Sequence, residues 1–545
     1  LRREAPAVPR PGAAADAHPG GPIEALDHRF VIWLVARNAW TLLHRPLAFF
    51  EAEPCFPEPR ALTLGEPGFS IGVVGIPGWL LLGDPVATYD LALPTLAVVW
   101  GAAVFLLVRD WTGSGAAALA AALLFAFHPI SRDEILHPYA WDNGWAAFAL
   151  FFAVRLFERR RWRDAIGLAA ACALQLGSSL YATLGVACLG VALGPWLLAS
   201  QRLREQRPLQ WLAVALVAAA AAAALYGPFL ARRAEGALAP RTYQVFLAWR
   251  SLLPGGSYWP GPLLLGLAAA GLALRGSLGA RFRRDPRGPL LLGTLLALLV
   301  ATGGVTTAVF AGAGAIPVDA PRTLFPNLYA WLARFVPGLE LVRGVSRLYS
   351  GVLLALCVLA GLGAAALLRA VPGRLRPVAA AALVLAAYVD TLRPASLGLE
   401  PRVAFRMTEI APEREQIEFF RRLAELGDAG PLAEAPLHRK THLRNNTALL
   451  LSAYHHRRTS ACRNSFLPPR LGEVDATLAR LPEPDAVARL RELGFRTVVL
   501  HHPARSARQE SLRRRFEASA TGPDAPLDPL LASESLSAWS IARRL

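Results

Sequence analysis

Three carboxylates near the start of the sequence, Asp27, Glu51 and Glu66, bracket an apolar stretch with helical spacing and the loop that follows it. Such groups can activate a hydroxyl as a general base or ligate a divalent cation. Two arginines, Arg343 and Arg347, stand just before a long apolar run. A guanidinium stays charged at any relevant pH and makes paired hydrogen bonds to phosphate, so this pair suits the holding of a phosphate group. Arg132 and His137 lie in a third polar stretch and are candidates for the same cleft. Each has a plainer reading. The carboxylates also fit solvated loop charges or helix caps, Arg347 fits a snorkelling anchor, and His137, beside Pro138, fits an ordinary loop residue. Glu53 and Glu58 read as surface charges, and Tyr139, Trp141 and Trp145 as belt aromatics.

The elements that must position these residues are mostly apolar. The chain has 545 residues, 54% hydrophobic and only 18% charged, against about 25% charged in an ordinary soluble protein. The excess lies in runs of roughly 17–25 residues, the length that crosses the hydrocarbon of a bilayer. These runs fall near 86–108, 113–130, 139–157, 164–179, 181–199, 209–230, 258–275, 288–311, 346–368 and 377–394. The fold class is therefore an all-α polytopic membrane domain over 86–395, with about ten transmembrane helices. A small α/β soluble domain follows over 396–545. There, PEREQIEFFRRLAEL reads as an amphipathic helix, AVARLRELG as a helix ending at Gly494, Phe495–Leu500 as a strand, and SAWSIARRL as a closing strand. Residues 1–85 form a head segment. Within it, 29–50 has helical spacing (Trp33, Ala36, Trp40, Leu43) and basic residues, the pattern of a helix lying in the interface, and 68–83 reads as a second interfacial or re-entrant piece.

The net charge of +17 is almost all arginine, Lys440 being the only lysine. Much of it sits in the short loops 158–164, 201–207, 275–287 and 369–376, which share one side if the runs cross alternately. The positive-inside rule makes that side cytoplasmic, which puts the head, the longer loops and the tail outside. Charge so placed orients a membrane protein, and nucleic acid is not an expected partner. Of five cysteines, Cys172, Cys188 and Cys357 fall in apolar runs; Cys55 and Cys462 fall on the same outer side, where two free thiols are expected and a disulfide is the alternative. Asp142 and Asp390 lie near helix ends, and no charge is placed at mid-bilayer, which argues against an ion-coupled transporter. A Gly-rich phosphate loop is also missing from the sequence. The first residue is Leu rather than Met, so the chain reads as a fragment.

Several stretches resemble the glycosyltransferase-C superfamily of bacterial multi-spanning proteins. They are the DxxxxxW of Asp27 and Trp33, FFEAEPCFPEPRALTLGE (Phe49 to Glu66), LLFAFHPISRDEILH (Leu123 to His137), LQLGSSLYATLG (Leu174 to Gly185) and VPGLELVRGVSRLYSGVLLALCVLAGLG (Val336 to Gly363). In the tail, YHHRRTSACRNSFLPPRL and LRELGFRTVVLHH are similar to that group's terminal domain. Pro54 and Cys55 depart from its pattern, and the span it implies ahead of Asp27 is not in this sequence. The resemblance implies a glycosyltransferase of the bacterial inner membrane, using a polyprenyl-phosphate-linked sugar and a glycan, lipid or protein acceptor on the extracytoplasmic face. It implies catalytic roles for Asp27, Glu51 and Glu66, donor binding by Arg343, Arg347, Arg132 and His137, and leaves a divalent cation open as cofactor. The alternatives are a non-catalytic protein of the same fold, acting as a lipid-glycan carrier or assembly partner, and a transporter.

Overall fold

The computed structural model describes residues 23–133, 137–200, 206–238, 243–276, 278, 285–303, 315–317, 328–392, 411–426, 430–436, 442–502, 507–521 and 525–541. The chain forms two compact units. One takes residues 66–74 and 90–402, the other residues from 1–65, 75–89 and 403–545.

The first unit is a helical bundle. Each apolar run of the sequence coincides with a helix, because a run of Leu, Ala and Val satisfies its own backbone polar groups only as a helix once water is gone. Among the described residues four helices are long and apolar enough to cross a membrane: Pro85–Thr112, Leu180–Ala199, Pro208–Ala234 and Val345–Ala370. The others are shorter, from Pro129–Asp133, at 5 residues, to Gly144–Arg159 and Arg376–Thr391, at 16 each. Tyr349–Ala370 is the central helix, buried along nearly its whole length. Glycines let its neighbours come close. A Cβ on Gly185 would lie 2.6 Å from the Leu348 carbonyl oxygen, and one on Gly351 would strike the backbone of Gly185. The Leu180–Ser200 and Tyr349–Ala370 helices therefore touch backbone to backbone at that point, the small-residue contact common between membrane helices. A short antiparallel ribbon, β1 (Tyr243–Val245) with β2 (Ala315–Pro317), lies outside these helices.

The second unit is built on a four-stranded sheet in the order β3 (Leu432–Ala435), β4 (Thr497–His501), β6 (Leu536–Ile541), β5 (Leu527–Ala532). β3 and β4 are parallel; the other pairings are antiparallel. Successive β4 residues face opposite ways, and both faces are covered. Val498 and Leu500 join a core with Phe495, Phe516 and Trp539, while Val499 packs with Phe419, Phe420 and Leu451. That is why TVVL is apolar throughout rather than alternating. Helices Arg414–Glu425 and Pro484–Glu492 occupy the positions their amphipathic patterns predict, and Gly494 takes φ +94°, a conformation open to glycine at a helix end.

The head segment belongs to this same unit. Its helix, Ile23–His44, packs on His442–His455, and every residue from Val31 to Ala39 is buried. It is a core helix, where the pattern of apolar and basic residues predicts one lying in the interface. The reason is Arg37, which is buried, not solvated: its Nε donates to Glu53 at 3.2 Å. Glu53 and Glu58, which read as surface charges, are 1% and 5% exposed. The loop that carries them is stitched to the tail. The Cys55 and Phe56 N–H groups donate to the Ala461 and Thr459 carbonyls, and Thr459 N–H donates to that of Glu53. Cys55 and Cys462 form a disulfide there, in place of the two free thiols expected. The sequence could not show that backbone pairing brings residues 407 positions apart to a Cα separation of 4.4 Å.

Candidate functional site

The helical unit gathers three of the residues that chemistry singled out. From the Gly185–Gly351 contact, one turn back along the first helix reaches Tyr181, and one turn back along the second reaches Arg347, in the Val345–Leu348 turn. The two meet: the Arg347 guanidinium lies 5.5 Å from the Tyr181 ring centroid. The Tyr181 hydroxyl bonds to the Gly344 backbone, and Glu66, Arg347 and Arg343 all act on it electrostatically. Arg343 is exposed and Arg347 half-buried. The backbone of Arg343 is fixed by β1, whose Val245 N–H donates to the Arg343 carbonyl at 2.7 Å. Glu66 is half-buried and also acts on Tyr226, whose hydroxyl donates to the Leu176 carbonyl at 2.8 Å. Arg347 thus touches the phenol, and Glu66 and Arg343 lie within electrostatic reach of it, a set whose cations suit a phosphate and whose carboxylate could accept a proton.

Behind this group lies a buried polar network that the sequence did not announce. Asp142, expected to be cheaply placed near a helix end, is fully buried. The indoles of Trp100 and Trp145 donate to its two oxygens at 2.8 and 3.0 Å, and Ser70 Oγ donates as well. Trp145 is therefore a hydrogen-bonding residue, and Tyr139 and Trp141 are buried packing residues, not belt aromatics. Gln175 Nε2 donates to the Asp142 carbonyl at 3.2 Å and to Ser178 Oγ at 2.9 Å, while its oxygen accepts from Ala146 N–H at 3.0 Å. Asn143 donates to the Ser350 carbonyl. Glycines make room again: a Cβ on Gly144 would meet the Trp100 ring at 2.5 Å, and one on Gly177 the Phe69 ring at 2.5 Å. Trp100 also walls a cavity of about 580 Å³, lined mainly by apolar residues such as Leu93, Leu96, Leu123 and Phe127.

The remaining candidates stand apart from this group or outside what is described. His137 is half-buried, its ring edge-on to Tyr139. Arg132 lies in the short helix Pro129–Asp133. Asp27 and Glu51 are in the sheet-containing unit. Asp27 is on the first turns of Ile23–His44. Glu51 follows the other end of that helix, and its carboxylate accepts from the Arg60 N–H at 3.1 Å, where it braces a residue with φ +49°. Its carbonyl accepts from Arg37 at 2.9 Å. Arg37 is ten residues beyond Asp27, ~15 Å along a helix, so the structure separates these two carboxylates. Among the described residues no group of three or more His, Cys, Asp or Glu side chains is arranged to hold a metal ion.

No protein-family model matches the chain, and no curated protein matches it in sequence. Among solved structures it is similar to the arabinofuranosyltransferase AftD from Mycobacteria, with a TM-score of 0.51 and 16% identity over 96% of this chain. A mutant form of AftD gives 0.51 and 19%, again over 96% of this chain and 41% of the other. ArnT from Cupriavidus metallidurans, in the apo state, gives 0.47 and 13%, over 96% of this chain and 94% of that one. The chain spans about 40% of the length of AftD. The likeness to AftD, at 16% identity, is one of fold.

Proposed function

We propose that this protein is a membrane glycosyltransferase that moves a sugar from a polyprenyl-phosphate donor to an envelope acceptor on the extracytoplasmic face of the bacterial inner membrane. The observation that carries the reading is the convergence of Glu66, Arg343 and Arg347 on Tyr181. In this reading the guanidiniums hold the donor's phosphate. The acceptor hydroxyl attacks the anomeric carbon from the opposite face, its proton passes to a carboxylate, and the sugar–phosphate C–O bond breaks with its electron pair going to the phosphate oxygen. Charge developing on that oxygen is met by cations already in place, the usual source of catalytic stabilisation. The apolar cavity beside Trp100 suits an isoprenoid chain. The Cys55–Cys462 disulfide suits an oxidising, extracytoplasmic compartment for the unit that carries it.

Two carboxylates compete for the role of base. Glu66 acts on the same phenol as the arginines; Asp27 is the carboxylate that the sequence resemblance favours most. The test is sugar transfer by purified protein from polyprenyl-phosphate donors, with Glu66→Gln and Asp27→Asn compared. The base variant should lose transfer at least 100-fold while still binding polyprenyl phosphate, and Arg347→Ala should weaken that binding at least 10-fold without abolishing it. A wild-type protein that binds no polyprenyl phosphate refutes the reading.

A further inference from the structure

Asp142 is a buried carboxylate with three donors and, among the described residues, no cation. Burial of an unpaired charge is costly, and tryptophan N–H groups can only donate. A neutral side chain would cost less, so the position asks what the charge is for. The answer lies in which segments it gathers. Ser70, one of its donors, is four residues beyond Glu66, and its N–H donates to the Gly177 carbonyl at 2.9 Å. Gln175, held through the Asp142 carbonyl, fixes the turn that leads to Tyr181: its own carbonyl accepts from Ser178 Oγ and Thr183 Oγ1, each at 2.8 Å. Asn143, the next residue, binds Ser350, three residues beyond Arg347. Three segments distant in sequence, carrying Glu66, Tyr181 and Arg347, are thus tied to two consecutive residues.

We infer that Asp142 is a positioning residue: its carboxylate, acting through Ser70, Trp100 and Trp145 and with Asn143 and Gln175 beside it, sets the spacing of Glu66, Tyr181 and Arg347 that a phosphate-bearing lipid requires. It does not touch the lipid. An asparagine cannot replace it, because its amide nitrogen would face an indole or hydroxyl donor. The inference rests on the proposed donor class, and its test separates the two.

Binding of polyprenyl phosphate to the purified full chain is measured for the wild type, Asp142→Asn, Arg347→Ala and the double variant. Hydrogen exchange of the same proteins serves as a check on folding. Asp142→Asn should weaken binding at least 10-fold and speed exchange at 66–70, 176–183 and 344–350 together, leaving the sheet-containing unit unchanged. The double variant should bind no more weakly than Arg347→Ala alone, because both act through one contact. If Asp142→Asn does not fold, Ser70→Ala, which removes one donor only, should weaken binding about 3–10-fold and Ser70→Thr should restore it. Wild-type binding with no loss in Asp142→Asn, or in Ser70→Ala where that variant stands in, or losses that multiply in the double variant, overturns the positioning role. Absence of binding by the wild type overturns the donor class instead.

Discussion

Replacing Glu53 by glutamine should unfold the sheet-containing unit far more readily than any change at the more exposed end of the same ion pair. The Glu53 side chain is 1% exposed and that of Arg37 0%. Glu53 Oε2 accepts from Arg37 at 3.2 Å, and Oε1 accepts from Arg45 at 3.0 Å. The Arg45 side chain is 42% exposed, so water screens it. Glutamine keeps the shape but turns an amide nitrogen toward one of the two guanidiniums. Arg37 then keeps only neutral acceptors, Asn38 Oδ1 at 3.0 Å and the Glu51 carbonyl at 2.9 Å, for a charge sealed from solvent. Breaking a buried pair from one side costs about 3–5 kcal/mol. For a unit of roughly 200 residues that is a Tm shift of about 6–20 °C. Arg45→Ala should cost no more than about 1 kcal/mol. Arg37→Met combined with Glu53→Gln removes both charges and should be more stable than Glu53→Gln alone by about 2 kcal/mol, since the uncompensated cation is gone. Pulse proteolysis across a urea series, on protein purified in detergent, reads these differences. The reasoning is refuted if Glu53→Gln lies within 1 kcal/mol of wild type, or if the double variant is simply the sum of the two.

Acid should weaken the same unit through His456, whose ring stacks on Trp40 at 3.9 Å and whose pKa is lowered to about 3 by burial, then by Arg45, His44 and Arg37. Above about pH 6.5 the imidazole is neutral in both states; below it the unfolded chain binds a proton that the folded one refuses until about pH 3, so stability falls by about 1.4 kcal/mol per pH unit across that window. His456→Phe keeps the stack and should flatten this slope relative to wild type; identical slopes would contradict the assignment. In the helical unit, Gly185→Ala places a Cβ 2.6 Å from the Leu348 oxygen and should cost about 1–3 kcal/mol and part Tyr181 from Arg347, whereas Gly190→Ala, with nothing within 4 Å, should be silent. Equal thermal stability and equal polyprenyl phosphate binding in the two variants would mean that the close helix contact does not set the site.

Much of this architecture was legible from local pattern. Apolar runs marked the helices, Gly494 marked a helix end, and the apolar stretch after it marked a strand, because backbone hydrogen bonding and side-chain periodicity act over a few residues. Arg343 and Arg347 could be picked out by residue type and by their place ahead of a span. What local pattern could not give was the company each charged group keeps. Glu53 and Arg37 looked solvated, Asp142 looked incidental and Cys55 looked free, since the free energy of a buried charge or thiol depends on partners remote in sequence. Glu53 meets Arg37 across a loop, Asp142 meets Ser70 from 72 positions away, and Cys55 meets Cys462 from 407. The sequence by itself determined that the apolar runs are helical and marked β4 and β6 as strands, while β3 and β5 gave no local signal. Only the tertiary structure decided that Tyr181 and Arg347 would meet, because that depends on two glycines letting two helices touch, and that Ser70, Gln175 and Ser350 would all be tied to the consecutive residues Asp142 and Asn143, because those bonds join segments remote in sequence.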